Sequence, residues 1–237
     1  HAAMDAGQTI AVFFITPNQW AEHNDAACKV DFWLRNVKAL KNELDKLCVP
    51  LLIREVHTWK EIPEAISQLC AEHAIHAVHI NEEYGINEKK RDDLTGQRLK
   101  QKQIPCYRYL DRLLFQPGSV LTRTGGYFKV FTQFKKTCHQ QLSEILPKLQ
   151  GIPLAQAPSS IPSDPVPTHT AGFPTPCKTL QELWPAGESA ALDRLHNFSN
   201  YHLLHYDQRR DFPALAGTSQ LSAYLAAGVL SPRQCFY

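Results

Sequence analysis

As far as residue 110, the chain alternates between short apolar runs and longer amphipathic stretches. The short runs are rich in β-branched and aromatic side chains, and they predict strands over residues 8–15, 50–56, 75–80 and 104–110. Apolar positions recur with a helical period from residue 25 and after Thr58, and residues 84–99 read as a polar, charged helix. Strands that alternate with helices in this way form a parallel, doubly wound α/β sheet with right-handed crossovers.

Both ends of the pattern suggest that more chain belongs to it. Folds of this class usually open with a strand, and we expect the opening strand of this one to precede His1. At the other end, Tyr237 falls a few residues into what reads as a new helix. We therefore expect a fragment, truncated on both sides, of a longer protein.

Beyond residue 115 the alternation stops. Gly118 and Gly125-Gly126 mark turns, and residues 127–149 predict one helix. Residues 151–177 hold seven prolines and almost no charge, which is typical of a linker that crosses a surface. From residue 180 onward the pattern is helical. The predicted domains are an α/β domain over 1–150, a Pro-rich linker over 151–178, and the beginning of an all-α domain over 179–237.

Composition limits the class of protein. Hydrophobic residues make up 43% of the chain and charged residues 20%, enough for a core. The net charge is only +2, so no global basic field indicates nucleic acid, and no apolar run is long enough to predict a membrane span. The 7 cysteines are scattered without a Cys-x-x-Cys pair, which favours reduced thiols and a cytoplasmic location.

Two common kinds of site are not predicted. His73, His76 and His79 are spaced by three, but they span a helix-to-strand junction and share no single face. We therefore expect no metal site there. No Gly-x-Gly-x-x-Gly or P-loop follows the first predicted strand, so the sheet does not read as an NAD or ATP site.

The most informative stretch lies near the end of the chain. Gly217-Thr218-Ser219 form a turn ahead of an apolar helix, and a second turn, residues 228–231, leads into Pro232 at a predicted first helical position. Free backbone N–H groups and hydroxyls therefore converge at a helix start, which favours a bound phosphate. An ordinary Ser/Thr helix cap is the alternative.

This stretch resembles the flavin-binding helical domain of the DNA photolyase/cryptochrome family. The family pattern is roughly Tyr-x-x-x-Arg-Asp-x-Pro, then Thr-Ser-x-Leu-Ser-x-x-Leu-x-x-Gly-x-Leu-Ser-Pro-Arg, and nearly every element stands in order over residues 206–233. Gln220 departs from it where many members carry Arg, and Ala223 where many carry Pro. Residues 127–135 also resemble a family segment, with Gln133 replacing a Pro.

The resemblance implies roles for particular residues. Arg210 is expected to face the DNA backbone, with a structural ion pair to a nearby acid as the alternative. The electron-transfer residues would lie outside the chain. The residues implied to hold FAD are Tyr206, Thr218, Ser219, Gln220, Leu221 and Ser222.

Two further motifs resemble the family's antenna pocket. His23-Asn24 follows the first predicted strand, and Asn87-Glu88 follows the third. In the folate-type members such pairs contact 5,10-methenyltetrahydrofolate, since an amide and a carboxylate match the donor and acceptor edge of a pterin. Both motifs lie just past strand ends, where open α/β sheets place ligands. Helix caps or surface pairs are the alternative for both.

The resemblance is strongest to bacterial folate-type class I photolyases, with a Rossmann-like antenna domain ahead of the flavin domain. It implies light-driven repair of cyclobutane pyrimidine dimers by electron transfer from reduced FAD, in a monomer that binds damaged DNA. The alternatives are a cryptochrome-like photoreceptor without repair activity and a non-catalytic α/β module left by truncation. We expect residues 1–237 alone to lack stoichiometric flavin and repair activity.

Overall fold

A computed structural model describes residues 7–144 and 149–236. Strands and helices alternate through the first half, as the apolar pattern predicts. The elements, in order, are β1 (Ala11–Ile15), α1 (Pro17–Glu22), α2 (Ala27–Lys46), β2 (Leu51–Glu55), a 3-10 turn (Trp59–Glu61), α3 (Ile62–Glu72), β3 (Val78–Asn81), α4 (Ile86–Gln101) and β4 (Cys106–Tyr109).

The four strands pair in parallel, as predicted, but within the described residues they form two separate ladders. β1 pairs with β2, so that Ala11 lies opposite Leu51. β3 pairs with β4, so that Val78 lies opposite Cys106. No hydrogen bonds join β1 to β3 in the part of the chain that the structure describes.

The helices pack in two groups. α3 and α4 pack against each other. α2 packs against β1, since its Val30 and Leu34 share a buried cluster with Ile15. Phe32 of α2 also packs edge-on against Tyr224, with the ring centroids 5.3 Å apart. The α/β half thus contacts the later helical segment through α2.

Two groups of buried apolar side chains form the core. One group holds Ile15, Trp20, Val30, Leu34 and Phe173. The other joins Phe32 to residues near the end of the chain, namely Ala191, Leu221, Tyr224 and Leu230.

The Pro-rich linker runs along the outer edge of β2. Asp164 donates its backbone N–H to Leu51 O (2.8 Å), and the Asp164 carboxylate accepts the N–H of Ile53 (2.8 Å). The linker thereby satisfies backbone groups that an open strand edge would expose. Most of this segment follows a surface, as predicted, but Phe173 is buried against Trp20, which a surface crossing does not anticipate. The proposed domain boundaries stay a prediction.

The second half is helical, with short elements. α5 starts at Phe131, four residues later than predicted. The residues between the turn at Gly125 (φ +80°) and Phe131 are not helical. Of its predicted extent, residues 145–148 lie outside the described residues. The described elements are α5 (Phe131–Glu144), α6 (Lys178–Leu183), α7 (Glu188–Tyr201), a 3-10 turn (Leu203–His205), α8 (Tyr206–Arg209), α9 (Ser222–Ala226) and a 3-10 turn (Gln234–Phe236).

Candidate functional site

The predicted phosphate-binding turn is a cluster of unpaired hydrogen-bond donors. Along residues 218–224, the backbone N–H groups donate to no partner in the described part of the chain. The hydroxyls of Thr218, Ser219 and Ser222 are also without partners among the described residues. Gly217 lets this turn form, because a Cβ there would lie 2.7 Å from the Arg209 carbonyl oxygen. Donors without partners at an accessible turn favour an anion.

The helix behind this turn is shorter than the sequence predicts. α9 spans only Ser222–Ala226, since Gly228 (φ +71°) and its neighbours close the next turn. Such a short helix carries little macrodipole, so any anion affinity comes from the donors themselves. The second predicted helix start, at Pro232, is a turn in which Ser231 and Gln234 cap each other: the Ser231 N–H donates to Gln234 Oε1 (2.8 Å), and the Gln234 N–H donates to Ser231 Oγ (3.3 Å).

The turn opens into a cavity of about 360 Å³ between itself and α7. Three of the residues predicted to hold FAD line it, namely Thr218, Ser219 and Gln220. From the other side it is lined by Arg194, Asn197, Phe198 and His202. The His202 Nδ1 atom is buried and has no hydrogen-bond partner among the residues that the structure describes.

Arg194 is the site residue that sequence reasoning missed. Its Nη1 donates to Gln220 Oε1 (2.8 Å), and its Nη2 donates to Leu183 O (2.8 Å). The guanidinium also lies over the Trp184 ring, 4.7 Å from the centroid. It places a fixed positive charge beside Gln220, where many family members carry a cation. The available signal was a polar stripe on α7, since Arg194, Asn197 and Tyr201 follow at helical spacing.

Tyr206, Leu221 and Ser222 stand apart from this cavity. The Tyr206 ring packs edge-on against Phe198, with centroids 6.0 Å apart, so one aromatic ring separates it from the turn. Leu221 is buried in the core beside Tyr224, which leaves only its backbone N–H for a ligand. The Tyr224 hydroxyl donates to Pro185 O (2.8 Å), and burial raises the pKa of this phenol. Leu221 and Tyr224 therefore anchor the turn to the core.

Arg210 lies next to Tyr206, as the four-residue spacing predicts. Its guanidinium sits 5.7 Å from the centre of the Tyr206 ring. Its Nε is also 3.7 Å from the carboxylate of the neighbouring Asp211. The Arg210 side chain is 53% exposed, so this ion pair is screened by water and leaves the guanidinium open to another anion.

His23 and Glu88, one from each antenna motif, line the same cavity at the carboxyl ends of β1 and β3. This cavity measures about 2580 Å³ and runs between the two strand pairs. Asn24, in a left-handed conformation (φ +54°), and Asn87 do not line it. One residue of each motif therefore lines the same cavity, and the other does not.

The Glu88 carboxylate folds back over Gly85 at the start of α4. A Cβ added at Gly85 would overlap this carboxylate. Within the described residues, the carboxylate makes no ion pair or hydrogen bond. His23 meets the amide of Gln19, with 2.8 Å between His23 Nε2 and Gln19 Nε2. Among the described residues, the Glu88 carboxylate is therefore an acceptor left open at this cavity.

An ion-pair network beside Glu88 links the two halves of the chain. Glu83 accepts hydrogen bonds from Arg91 (3.0 Å) and Arg112, and Arg91 also donates to buried Asp92 (2.7 Å). Burial raises the pKa of the Asp92 carboxyl, against the opposing effect of Arg91. Arg112 in turn donates to the carbonyl of Ala226 (2.6 Å). The end of the sheet is thus tied directly to α9.

Other kinds of site are scarce in the described part of the chain. Residues 7–144 and 149–236 contain no group of three or more His, Cys, Asp or Glu side chains arranged to hold a metal ion. Within the same residues, no helix combines the length and apolar character that a membrane crossing requires.

Comparison with known proteins gives a consistent family. A family model described as DNA photolyase matches residues 1–154. The deoxyribodipyrimidine photo-lyase of Escherichia coli (strain K12) is 34% identical over 232 residues, which cover 98% of this chain and 48% of the relative. The Vibrio cholerae protein of the same name is 35% identical over 236 residues, covering 99% and 50%. The chain thus spans about half the length of the curated relatives it matches.

Solved structures share the fold. A class III photolyase from Agrobacterium tumefaciens superimposes with a TM-score of 0.72 at 23% identity, covering 99% of this chain and 48% of the other. A Synechocystis cryptochrome gives a TM-score of 0.71 at 20% identity, covering 97% and 49%. These similarities show that the fold is that of photolyases and cryptochromes. Together with the family match over residues 1–154, they establish that this chain belongs to the DNA photolyase family.

Proposed function

We propose that this chain is the antenna-binding and phosphate-binding part of a light-driven enzyme that splits cyclobutane pyrimidine dimers in DNA. One observation carries the proposal in this member of the DNA photolyase family. The donors at residues 218–222, next to Arg194, have no partners in the described part of the chain. The curated relatives are named deoxyribodipyrimidine photo-lyase, which supports this substrate.

The donor cluster fits the phosphates of FAD. The hydroxyls of Thr218 and Ser219 and the nearby backbone N–H groups donate to phosphate oxygens, while Arg194 offsets the phosphate charge. Bound FAD, when reduced and excited, supplies the electron that opens the dimer and takes it back. The role of these residues is to bind and orient that cofactor.

Arg210 is proposed to bind the DNA backbone. Its exposed guanidinium matches a phosphate in bidentate geometry, and the Tyr206 ring restricts its orientation. The damaged pair must leave the base stack to reach a cofactor, which costs less for a dimer because it already pairs poorly. A contact between Arg210 and a DNA phosphate helps to hold the DNA while the dimer is out of the base stack.

The antenna is proposed to be 5,10-methenyltetrahydrofolate at the cavity that His23 and Glu88 line. By resemblance, Asn24 and Asn87, which follow and precede these residues in the sequence, are proposed to contribute as well. The Glu88 carboxylate, which has no partner in residues 7–144 and 149–236, is the group that would accept from the pterin edge. An archaeal photolyase of this fold, from Sulfolobus tokodaii, is described with two FAD molecules. Its TM-score is 0.66 at 22% identity, covering 99% of this chain and 49% of that one. The absorption spectrum of the purified protein distinguishes folate from a second FAD as the antenna. We further propose a cytoplasmic location, on the scattered free thiols. A monomer is proposed on the family resemblance alone.

A repair assay in cells tests the proposal. The complete reading frame that contains residues 1–237 is expressed in a bacterium without photolyase, which is then exposed to ultraviolet light and to blue light or darkness. Recovery that depends on blue light is expected. Flavin-containing protein without recovery would favour the alternative, a cryptochrome-like photoreceptor.

A further inference from the structure

The small cavity at the donor-rich turn has two polar walls. Thr218, Ser219 and Gln220 line it from the turn, while Arg194 and Asn197 line it from α7. Among the described residues that line this cavity, none is acidic, so both walls favour an anion. A ligand that lies between the walls is therefore open to contact from two sides.

Asn197 is the open polar group of the α7 wall. Its side chain is exposed and makes no hydrogen bond in the described part of the chain. Arg194, by contrast, is committed at both Nη atoms, to Gln220 Oε1 (2.8 Å) and to Leu183 O (2.8 Å). The Asn197 amide thus offers two N–H donors beside a guanidinium that is already held in place.

Helix geometry explains why these two side chains share a wall. Positions three apart on an α-helix are neighbours on its surface, so Arg194 and Asn197 lie side by side on α7. Each step of three residues falls about 60° short of a full turn around the helix axis. Asn200, one such step beyond Asn197, is also exposed but does not line the cavity.

A second observation at the same cavity points to a ligand. His202 follows the last residue of α7 and lines the cavity, and no described residue pairs with its buried Nδ1. Its backbone is fixed on both sides, because its N–H donates to Phe198 O (3.0 Å) and its carbonyl accepts from the His205 N–H (3.1 Å). Buried polar atoms in folded proteins nearly always have a partner, so an unpaired one at a cavity indicates a group that binds there.

The size of the cavity limits which part of a cofactor it holds. Pockets for drug-sized ligands measure roughly 300–1,000 Å³, so a cavity of about 360 Å³ accommodates one segment of a dinucleotide and not the whole molecule. The side chains of both walls are mainly hydrogen-bond donors. The segment of FAD that carries charge and only acceptors is its diphosphate.

We propose that Asn197 is a further cofactor-binding residue, whose amide donates to one phosphate of FAD from the α7 side while the turn binds the other. Because FAD at this cavity is itself the proposed function, Asn197 has this role only if that function holds. Two facing walls suit two linked phosphates, whereas a single phosphate leaves one wall unused. Asn197 therefore favours FAD over FMN, which carries the same flavin with one phosphate.

The test compares two isosteric charge changes on α7. The protein expressed from the complete reading frame that contains residues 1–237 is purified, freed of flavin and titrated with FAD or FMN. Asn197→Asp replaces the donor by a carboxylate of nearly the same shape and is expected to weaken FAD binding by about tenfold or more. Asn200→Asp adds the same charge one step away and is expected to change the Kd of FAD by less than about threefold.

The titration with FMN separates contact with a second phosphate from general damage to the site. Asn197→Ala is expected to weaken FAD binding more than FMN binding, so that the preference for FAD falls. Equal losses for the two flavins in Asn197→Ala, or equal effects of the two aspartate variants on FAD, would overturn the proposal. A wild-type protein that binds no FAD would instead refute the proposed function itself.

Discussion

Arg194 donates a hydrogen bond to the side-chain oxygen of Gln220 across a distance of 2.8 Å. This contact joins α7 to the donor-rich turn. It places a charged guanidinium next to the uncharged side chain of Gln220. A positive charge therefore lies beside residue 220, although the residue that carries it is 26 positions away in the sequence.

The first prediction concerns this pair. It uses a chimera in which residues 1–237 replace the matched segment of the Escherichia coli relative and the rest of that relative is kept. Arg194→Gln is expected to weaken FAD retention by about 1–3 kcal/mol, because a charge-assisted contact to phosphate is lost. Gln220→Ala is the control and should cost less, since it leaves the guanidinium in place. Flavin absorbance after desalting measures both, and equal losses would argue against a charge role for Arg194.

The second prediction concerns the hydroxyls of the turn. In the same chimera, Thr218→Ala combined with Ser219→Ala should weaken FAD retention by about 1–3 kcal/mol, because each change removes a donor from the phosphates. Ser199→Ala, at an exposed serine of α7, is the matched control. Unchanged flavin content in the double variant would reduce the two residues to ordinary turn formers.

The third prediction separates the antenna from the flavin. Glu88→Ala in the chimera should remove folate and its near-ultraviolet absorption while FAD and binding of DNA in the dark persist. Gly85→Ala should act in the same direction, because its Cβ would displace the Glu88 carboxylate. Glu182→Ala, an exposed acid on α6, is the control. Normal folate content in both the Gly85→Ala and the Glu88→Ala variant would contradict the antenna assignment.

The fourth prediction concerns DNA. Arg210→Ala should weaken binding of dimer-containing DNA by about 1–3 kcal/mol and lower the salt slope by about one unit, as expected for one lost phosphate contact. Lys38→Ala, at an exposed cation of α2, is the control. Titrations at several salt concentrations measure the slope. A collapse of flavin content with an unchanged slope would make Arg210 a structural residue.

The fifth prediction follows from the buried phenol of Tyr224. Burial raises its pKa above the ordinary value of 10.0, so at high pH the unfolded chain loses this proton before the folded chain does. Stability is therefore expected to fall as pH rises through about 10 and above. Tyr224→Phe should cost about 1 kcal/mol at neutral pH, through the lost bond to Pro185 O, and should flatten the alkaline fall.

Urea unfolding of the 237-residue chain at neutral and alkaline pH measures this effect. Tyr107→Phe, at a tyrosine that is half exposed, should leave the alkaline fall unchanged. A parallel loss of stability in wild type and Tyr224→Phe with rising pH would show that the alkaline fall comes from other groups.

Local sequence signals predicted most elements of the fold. The strand predicted over residues 50–56 is β2 (Leu51–Glu55), and Thr58 caps a turn together with Glu61, because these features depend on neighbouring residues. The split between the β1–β2 and β3–β4 ladders was not predictable in this way, since strand pairing joins residues far apart in the chain. The same holds for Phe173, whose burial depends on a distant Trp20.

In the candidate site, too, residues of one local motif were predicted, and residues brought together from distant parts of the chain were not. Thr218, Ser219 and Gln220 were identified because they form one contiguous motif, and the structure places them at one cavity. Arg194 was missed, because only the folding of α7 against the turn brings it there. The antenna motifs were assigned as two pairs, yet only His23 and Glu88 line the cavity, since adjacent residues in a turn or a helix point in different directions.

Repair by the purified chimera tests the central claim most directly. The chimera with reduced FAD is mixed with DNA that carries thymine dimers and kept under blue light or in the dark, and the remaining dimers are counted. We predict loss of dimers under light alone, and slower loss at limiting FAD for the Thr218→Ala, Ser219→Ala double variant. A folded, FAD-loaded chimera that leaves the dimers intact under light would contradict the assignment of residues 1–237 to a pyrimidine dimer photolyase.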